Sequence, residues 1–511
     1  MIKRSLALFL AVVLGLSLTG CANRSSVSDI VSEIALPEPS AEAQNMIFGE
    51  RIAAKPEVVT LYYVSGDGTS FSTTNRTLII SPDESLCEET IDALLFSTAS
   101  PDRMSFLPPE MEILDVDFSC GIATVTLSLD AHNIQSEQEY LILLATLSNT
   151  LLSIDGVRGV NLMIAGHCTA IASLPVGTLT RPLEGITPTY AQYSAERDYF
   201  LESETGTITR TATLYFPTSV GEWFVPELRE ITFDSRDYAS ALIRALRAGP
   251  SESSCAITAI PESTDLLVDN PVIAVNASGE RVIELNFSGA LRNYLAFSGI
   301  DEWELVGSVA LTLSSFVPEL DAVRICIDSI PITHCIIGER EYKFEDGLIR
   351  RSDFDAFIGS IVTLHIPQSD GSLESVQRAT SMVRAQSPLS LLCALFDDIL
   401  MLDNSIEVFP VDVYAEDILG ITLEDGVASV NLSANFYRRC QSLSEETERS
   451  LVYAIVNTLC ELDDVTGVRF YIEGYSAETL AGSIYLKGIL MPNPGMVRRE
   501  SAYEVEFIPS P

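Results

Sequence analysis

The feature that most constrains the fold of this chain is an internal repeat. The same order of short apolar segments occurs three times along 511 residues. Each copy opens with a segment in which β-branched and aromatic residues alternate with polar ones, a pattern that predicts a strand. The three opening segments are 59–63, 212–216 and 362–366. Repetition on this scale predicts one structural unit used several times.

The rest of each copy follows one pattern. A second strand is predicted at 76–80 and 229–233, followed by a helix at 85–97, 237–248 and 389–400. A hairpin then returns along 121–128, 281–288 and 426–433. A longer amphipathic helix follows, and a final strand closes each copy at 160–164, 323–327 and 468–472.

Turn and cap residues support these assignments. Asp67-Gly68 and Asp370-Gly371 supply the positive φ angles that tight hairpins need. Capping-box spacing, Ser136 with Glu139 and Ser442 with Glu445, predicts the starts of two closing helices.

Each copy is therefore predicted to be a β-β-α-β-β-α-β unit of about 110 residues, with two helices on a mixed sheet. The fold class is α+β, as a tandem repeat of three such units. We place the units at 57–168, 210–332 and 358–475, with linkers at 169–209 and 333–357. Residues 476–511 are predicted to be a C-terminal extension.

The N-terminus has the order of a secretory signal peptide over residues 1–20. Lys3 and Arg4 precede an uncharged, mostly apolar run, 5–18, which is shorter than the roughly 20 residues that cross a bilayer. Leu18, Thr19, Gly20 and Cys21 then resemble a lipobox, in which the cysteine thiol receives a diacylglyceryl group. The alternatives are an ordinary signal peptide with a chance cysteine and an uncleaved short anchor.

Residues 21–56 are predicted to be the lipidated cysteine and a flexible tether, because they are rich in Ser, Ala, Glu and Pro and lack apolar periodicity. The expected location is the extracytoplasmic face of the cell membrane, with attachment through the lipid.

Composition limits the range of partners. The formal net charge of −40 repels nucleic acid and anionic lipid, so neither is expected to bind. Nine cysteines remain beyond Cys21, an odd number without a CxxC pair, so neither a zinc ribbon nor a redox site is indicated. Core cysteines are favoured over a disulfide framework.

No motif for catalysis, metal binding or cofactor binding stands out. The chain lacks a nucleophile elbow, a P-loop, a dinucleotide-binding glycine turn and an HExxH helix. Its histidines are His132, His167, His334 and His365. His365 occupies a slot that Tyr62 and Tyr215 fill in the other copies, so a packing or surface role is favoured over catalysis. The adjacent acids Asp397-Asp398 and Asp463-Asp464 suit solvated helix faces better than a glycosidase pair.

Four features together resemble the GerM domain of sporulation and spore germination. They are the opening strand, the mid-unit helix followed in copy two by Ile260-Pro261, the G-x-A-x-V-x-L-S strand and the closing helix with G-V-R-x-V. All three copies carry the resemblance. It implies a non-enzymatic role in an endospore-forming, Gram-positive bacterium and a fold similar to ring-building motifs. The implied partners are envelope or sporulation-channel proteins or peptidoglycan, and oligomerisation stays open.

The leading hypothesis is therefore a membrane-anchored, non-catalytic scaffold of the cell envelope, without a cofactor, that serves sporulation and germination. A ligand-binding or sensory lipoprotein beside a membrane signalling protein is the alternative. Peptidoglycan hydrolysis is a third, disfavoured hypothesis.

Overall fold

The computed structural model describes residues 49–498 of the chain, with gaps. The gaps are 66–69, 82–83, 97–102, 105–109, 135–136, 172–173, 184–206, 235–236, 252, 261–266, 369 and 402–409. Signal peptide, lipobox and most of the predicted tether lie outside these residues, as do Ser136 and the Asp67-Gly68 turn.

The first repeat has the predicted order of strands and helices. A strand precedes it, and three short strands follow it. The elements are β1 (Gly49–Ile52), β2 (Lys55–Ser65), β3 (Phe71–Ile80), α1 (Leu86–Leu95), β4 (Arg103–Met104), β5 (Ile113–Ser119), β6 (Ile122–Leu127), α2 (Glu137–Leu152), β7 (Gly159–Ile164), β8 (His167–Cys168), β9 (Ala170–Ile171) and β10 (Leu174–Pro175).

The second repeat keeps this order and adds a short helix before the closing one. Its elements and the strands that follow it are β11 (Thr207–Pro217), β12 (Phe224–Asp234), α3 (Tyr238–Arg247), β13 (Val272–Val275), β14 (Arg281–Phe287), α4 (Ala290–Ser298), α5 (Glu302–Ser314), β15 (Ala322–Ile327), β16 (Ile330–Pro331), β17 (His334–Ile337) and β18 (Arg340–Lys343).

The third repeat also has a short helix before its closing helix. Its elements are β19 (Gly359–Pro367), β20 (Leu373–Ser381), α6 (Met382–Ala385), α7 (Pro388–Met401), β21 (Ile418–Glu424), β22 (Val427–Leu432), α8 (Ala434–Cys440), α9 (Glu445–Leu459) and β23 (Gly467–Ile472).

All three repeats share one strand topology. The opening strands pair with each other as β2–β3, β11–β12 and β19–β20, and in the first repeat β4 also pairs with β2. A separate mixed sheet follows, in which an antiparallel hairpin leads, through the closing helix, to a parallel final strand. The mixed α+β class predicted from the repeat pattern is thus confirmed, with the opening hairpin as a sheet of its own.

The repeats continue beyond their predicted ends at 168, 332 and 475. In each, the chain after the final strand returns to pair with it, through the bridges Val160–Leu179, Val323–Ile349 and Val468–Leu490. The bridging residues Leu179 and Ile349 are buried, so the described parts of the segments predicted as linkers pack onto their repeats.

Two local predictions need correction. Residues 49–52, inside the predicted tether, form β1 beside β21 in a sheet of order β1-β21-β22-β23, because an unpaired strand edge accepts a further strand. The cap of α9 is Ser444 rather than Ser442: the Ser444 hydroxyl accepts the Thr447 N–H.

The chain divides into two compact units. The larger spans Ile52–His365 and Glu374–Leu391, and the smaller comprises Met1–Arg51, Ile366–Leu373 and Leu392–Pro511. The first two repeats therefore fold as one unit, which includes much of the opening hairpin of the third. There, Phe224 bridges Ile358 beside β19, and Ser254 donates its backbone N–H to Gln377 of β20.

Candidate functional site

The lipobox residues Leu18, Thr19, Gly20 and Cys21 lie outside the described residues, so lipidation at Cys21 stays a prediction. Across the described ranges, no helix has both the length and the apolar character of a membrane span. Nor does any cluster of three or more His, Cys, Asp or Glu side chains in those ranges suit a metal ion.

The histidines are dispersed. His365 is buried and shares a 3.1 Å hydrogen bond between its Nδ1 and the Ser375 Oγ, so of the two predicted roles, packing or surface, it has the packing one. His167 Nε2 lies 3.1 Å from Asp321 Oδ1, and His334 is exposed on β17. The side chain of His132 lies outside the described part of the structure.

A threonine of the closing helix is placed identically in the first two repeats. Thr150 Oγ1 on α2 accepts the Tyr62 N–H of β2 at 3.1 Å. Thr312 Oγ1 on α5 accepts the Tyr215 N–H of β11 at 3.0 Å. In both repeats, this threonine therefore joins the closing helix to the opening strand.

Buried polar groups converge at the junction of the first two repeats. The returning segment of the first repeat runs between that repeat and β11. Leu179 exchanges backbone hydrogen bonds with Val160 on one side, and Thr178 donates its N–H to the Thr211 carbonyl on the other, at 2.8 Å. Backbone pairing therefore continues from the first repeat into the second.

A buried side-chain network crosses the same junction. Thr178 Oγ1 donates to Asn161 Oδ1 at 2.6 Å, and Asn161 Nδ2 donates to Thr213 Oγ1 at 3.1 Å. Asn161, Thr178 and Thr213 are at most 2% exposed, so each needs the others as hydrogen-bond partners. Such a network fixes the register of packed elements.

Arg351 forms a second polar contact at this junction. Its guanidinium lies 3.1 Å from Asp355 Oδ1, donates to Ser315 Oγ at 2.6 Å, and stacks 5.6 Å from the Tyr215 ring centroid. Burial alone would lower the pKa of Arg351, but Tyr215 and Asp355 outweigh burial and raise it. Arg351 is therefore charged at every physiological pH.

Asp115 and Asp117 of β5 form an acidic cluster with Asp355. Burial is the main cause that raises the pKa of Asp117 to about 6, followed by the charge of Asp115 and a hydrogen bond between the two carboxyl groups. Arg351 opposes the rise. The pKa of Asp355 is also raised, chiefly by burial. The junction therefore holds carboxyl groups that bind protons more readily than exposed ones.

This cluster predicts a pH dependence of stability. Because the folded-state pKa of Asp117 is above its unfolded value of about 4, the folded state binds more protons between pH 4 and 6. The contribution is present at low pH and is lost as the pH rises through about 6. Asp117→Asn is expected to raise the urea midpoint at pH 7.5 and to flatten its change between pH 5 and 7.

The control for this prediction is Asp463→Asn, at an exposed position beyond α9. It should leave the slope of urea midpoint against pH unchanged. Equal slopes for wild type and Asp117→Asn would refute the assignment of the titration to Asp117.

A cavity of about 250 Å³ lies beside α3 in the second repeat. Arg244 and Asp237 are 3.6 Å apart at its rim, and Arg247 and Asp269 also line it. Residues of opposite charge are therefore mixed along its described lining.

The cysteines behave as core residues. Nine lie in the described residues, and six of these are buried. Burial raises the pKa of Cys87 and Cys168 to about 12, which keeps both as thiols.

The repeat pattern does not predict the contacts between the first two repeats. One sequence feature points to these contacts, a polar threonine repeated at the second position of each opening strand. The three threonines are Thr60, Thr213 and Thr363. Neither Asn161 nor Arg351 belongs to a repeated motif, so neither could be found from the repeat pattern.

Comparison with known proteins gives the family. A family model described as Germane, sporulation and spore germination, matches residues 60–168, 213–333 and 400–478, which is more than half of the chain. No curated protein matches the chain.

Two solved structures match parts of the chain at low sequence identity. The tandem GerMN domains of the sporulation protein GerM from Bacillus subtilis are 21% identical, with 58% of this chain and 99% of that chain covered and a TM-score of 0.22. The first GerMN domain of that protein is 20% identical, with 22% and 84% covered and a TM-score of 0.19.

Proposed function

This chain belongs to the sporulation and spore germination family, and from that premise we propose that it is a membrane-anchored, non-catalytic scaffold of the cell envelope. In this proposal, Cys21 carries the lipid and the repeats present binding surfaces outside the cytoplasm. The partners are envelope proteins or peptidoglycan.

The proposal rests on the contacts that the repeated residues make. The closing-helix threonines bind backbone groups of opening strands, and the repeated apolar positions fill the cores. Three catalytic units would be expected to repeat a reactive constellation instead. A fold alone does not establish function, so this support is architectural.

The junction supports the same proposal. A buried polar network and continuous backbone pairing fix the first repeat on the second, which suits a part whose task is to hold partners at set positions. The net charge of −40 favours protein partners with basic surfaces over nucleic acid.

A gene deletion tests the role. In the bacterium that encodes this chain, deletion is expected to lower the yield of heat-resistant spores or to slow germination. A wild-type copy should restore both. Normal spore yield, cortex and germination in the deletion strain would refute the role in sporulation.

A substitution tests the anchor separately. Cys21→Ser is expected to move most of the protein from the membrane fraction to the soluble fraction, because the lipid supplies the membrane affinity. Ser26→Ala, five residues further along, should leave the distribution unchanged. Membrane retention of Cys21→Ser equal to that of wild type would exclude the lipid anchor.

A further inference from the structure

The mixed sheet of the second repeat has an open outer edge. Its strand order is β13-β14-β15-β16, and no strand among the described residues pairs with the outer side of β13. The sequence of β13 is Val-Ile-Ala-Val, without a charge, and Val272 and Val275 are 59% and 69% exposed. Exposed apolar edges invite pairing with another strand and are normally protected by charges, proline or cover.

The corresponding edges of the other repeats are protected. In the first repeat, the edge strand β5 carries the charged residues Asp115 and Asp117, and Asp117 interacts with Arg351. In the third repeat, β1 covers β21. This edge of the repeat fold therefore accepts an added strand in the third repeat, and the second repeat alone leaves it both uncharged and uncovered by described residues.

The backbone of β13 presents hydrogen-bonding groups outwards. Asn276 donates its N–H to the Glu280 carbonyl at 2.8 Å, and the same register pairs Ala274 with Val282. Bonded and non-bonded pairs alternate along an antiparallel ladder, so Ala274 faces β14, whereas Ile273 and Val275 direct their N–H and C=O groups away from it.

We propose that the outer edge of β13 binds an extended strand of a protein partner, apolar in its centre and basic at its ends. Strand addition satisfies the outward groups of Ile273 and Val275, and the partner's apolar side chains cover Val272 and Val275.

Charge selects the basic ends. Asp269 precedes the strand, and the chain as a whole has a charge of −40. Across the ladder, Glu284 opposite Val272 lies 3.6 Å from Arg324, and Arg281 is opposite Val275, so the preference for basic ends comes from Asp269 and the overall charge. A second copy of this chain would bring the same negative charge and is disfavoured. The inference rests on the proposed function in one respect: it gives the scaffold one surface and one class of partner.

A peptide-binding experiment tests the proposal on the full chain. The probe is a labelled synthetic peptide with a Val-Thr-Val-Ile-Val core and two lysines at each end. Val275→Pro removes an outward N–H at a position where an edge strand tolerates proline, whereas Val275→Thr keeps that N–H. Peptide affinity is expected to fall at least about tenfold for Val275→Pro and to change less than about twofold for Val275→Thr.

Three outcomes would overturn the proposal. These are absence of peptide binding to the wild type, equal affinity of Val275→Pro and Val275→Thr with unchanged circular dichroism, and equal binding of a peptide whose lysines are replaced by glutamates. Self-association that Val275→Pro abolishes would make a second copy the occupant instead. Because the assay needs no sporulating cell, normal sporulation of a deletion strain would refute the proposed function and leave this test unaffected.

Discussion

Replacing Gly177 by alanine is expected to lower the free energy of unfolding of the first two repeats by about 3 kcal/mol. Gly177 has a φ of +74°, and a Cβ there would lie 2.5 Å from the Thr211 carbonyl oxygen. That carbonyl accepts the Thr178 N–H, so relief of the clash must separate the backbones that join the repeats. Urea unfolding measures the loss.

Gly166 provides a matched control for this prediction. Its φ is +81°, but a Cβ there would meet no atom within 4 Å. Gly166→Ala therefore costs only the backbone strain, about 1 kcal/mol. If the two alanine variants unfold at the same urea concentration, close packing at the junction contributes nothing, and the rigid pairing of the repeats loses its main support.

Replacing Glu448 by alanine is expected to lower the free energy of unfolding of the third repeat by about 4 kcal/mol. Glu448 lies on α9 and is fully buried. Its Oε1 accepts the N–H groups of Leu480 and Ala481 at 2.9 and 2.8 Å, and its Oε2 accepts that of Ser483 at 2.7 Å. Removal of the carboxylate leaves three buried or half-buried amides without their acceptor.

Hydrogen exchange of these amides gives the direct measurement. Exchange at residues 480–483 should accelerate strongly in Glu448→Ala. Glu445→Ala removes an exposed carboxylate from the first turn of the same helix and should cost less than about 0.5 kcal/mol. Unchanged exchange at 480–483 in Glu448→Ala would show that the carboxylate does not hold this segment.

The Glu448 contacts also show that part of the predicted C-terminal extension packs against α9. Sequence reasoning ended the third repeat at 475, because no repeated motif follows the final strand. Ala477, Leu480 and Leu486 are nevertheless buried. Asn457 of α9 donates its Nδ2 to the Asn493 carbonyl and accepts the Asn493 N–H at its Oδ1. A segment without alternation or helical periodicity packs through single side chains, so periodicity gives no sign of it.

The candidate site was predictable only in part. The lipobox at Cys21 is a local motif, and its prediction needs no tertiary structure. The junction is different, since Asn161 and Thr213 are 52 residues apart and meet only after both repeats have folded. Likewise, the sequence of Val272–Val275 is that of an ordinary strand. Its exposed edge depends on which segments pack beside it in the folded protein.

The sequence by itself determined the repeat, the class of each unit and the family, because alternation, amphipathic spacing and turn residues are local properties that three copies display three times. The tertiary structure decided how the units are used. It joined the first two repeats, placed β1 on the third, and left the β13 edge open, since strand pairing and burial depend on contacts between residues far apart in the chain.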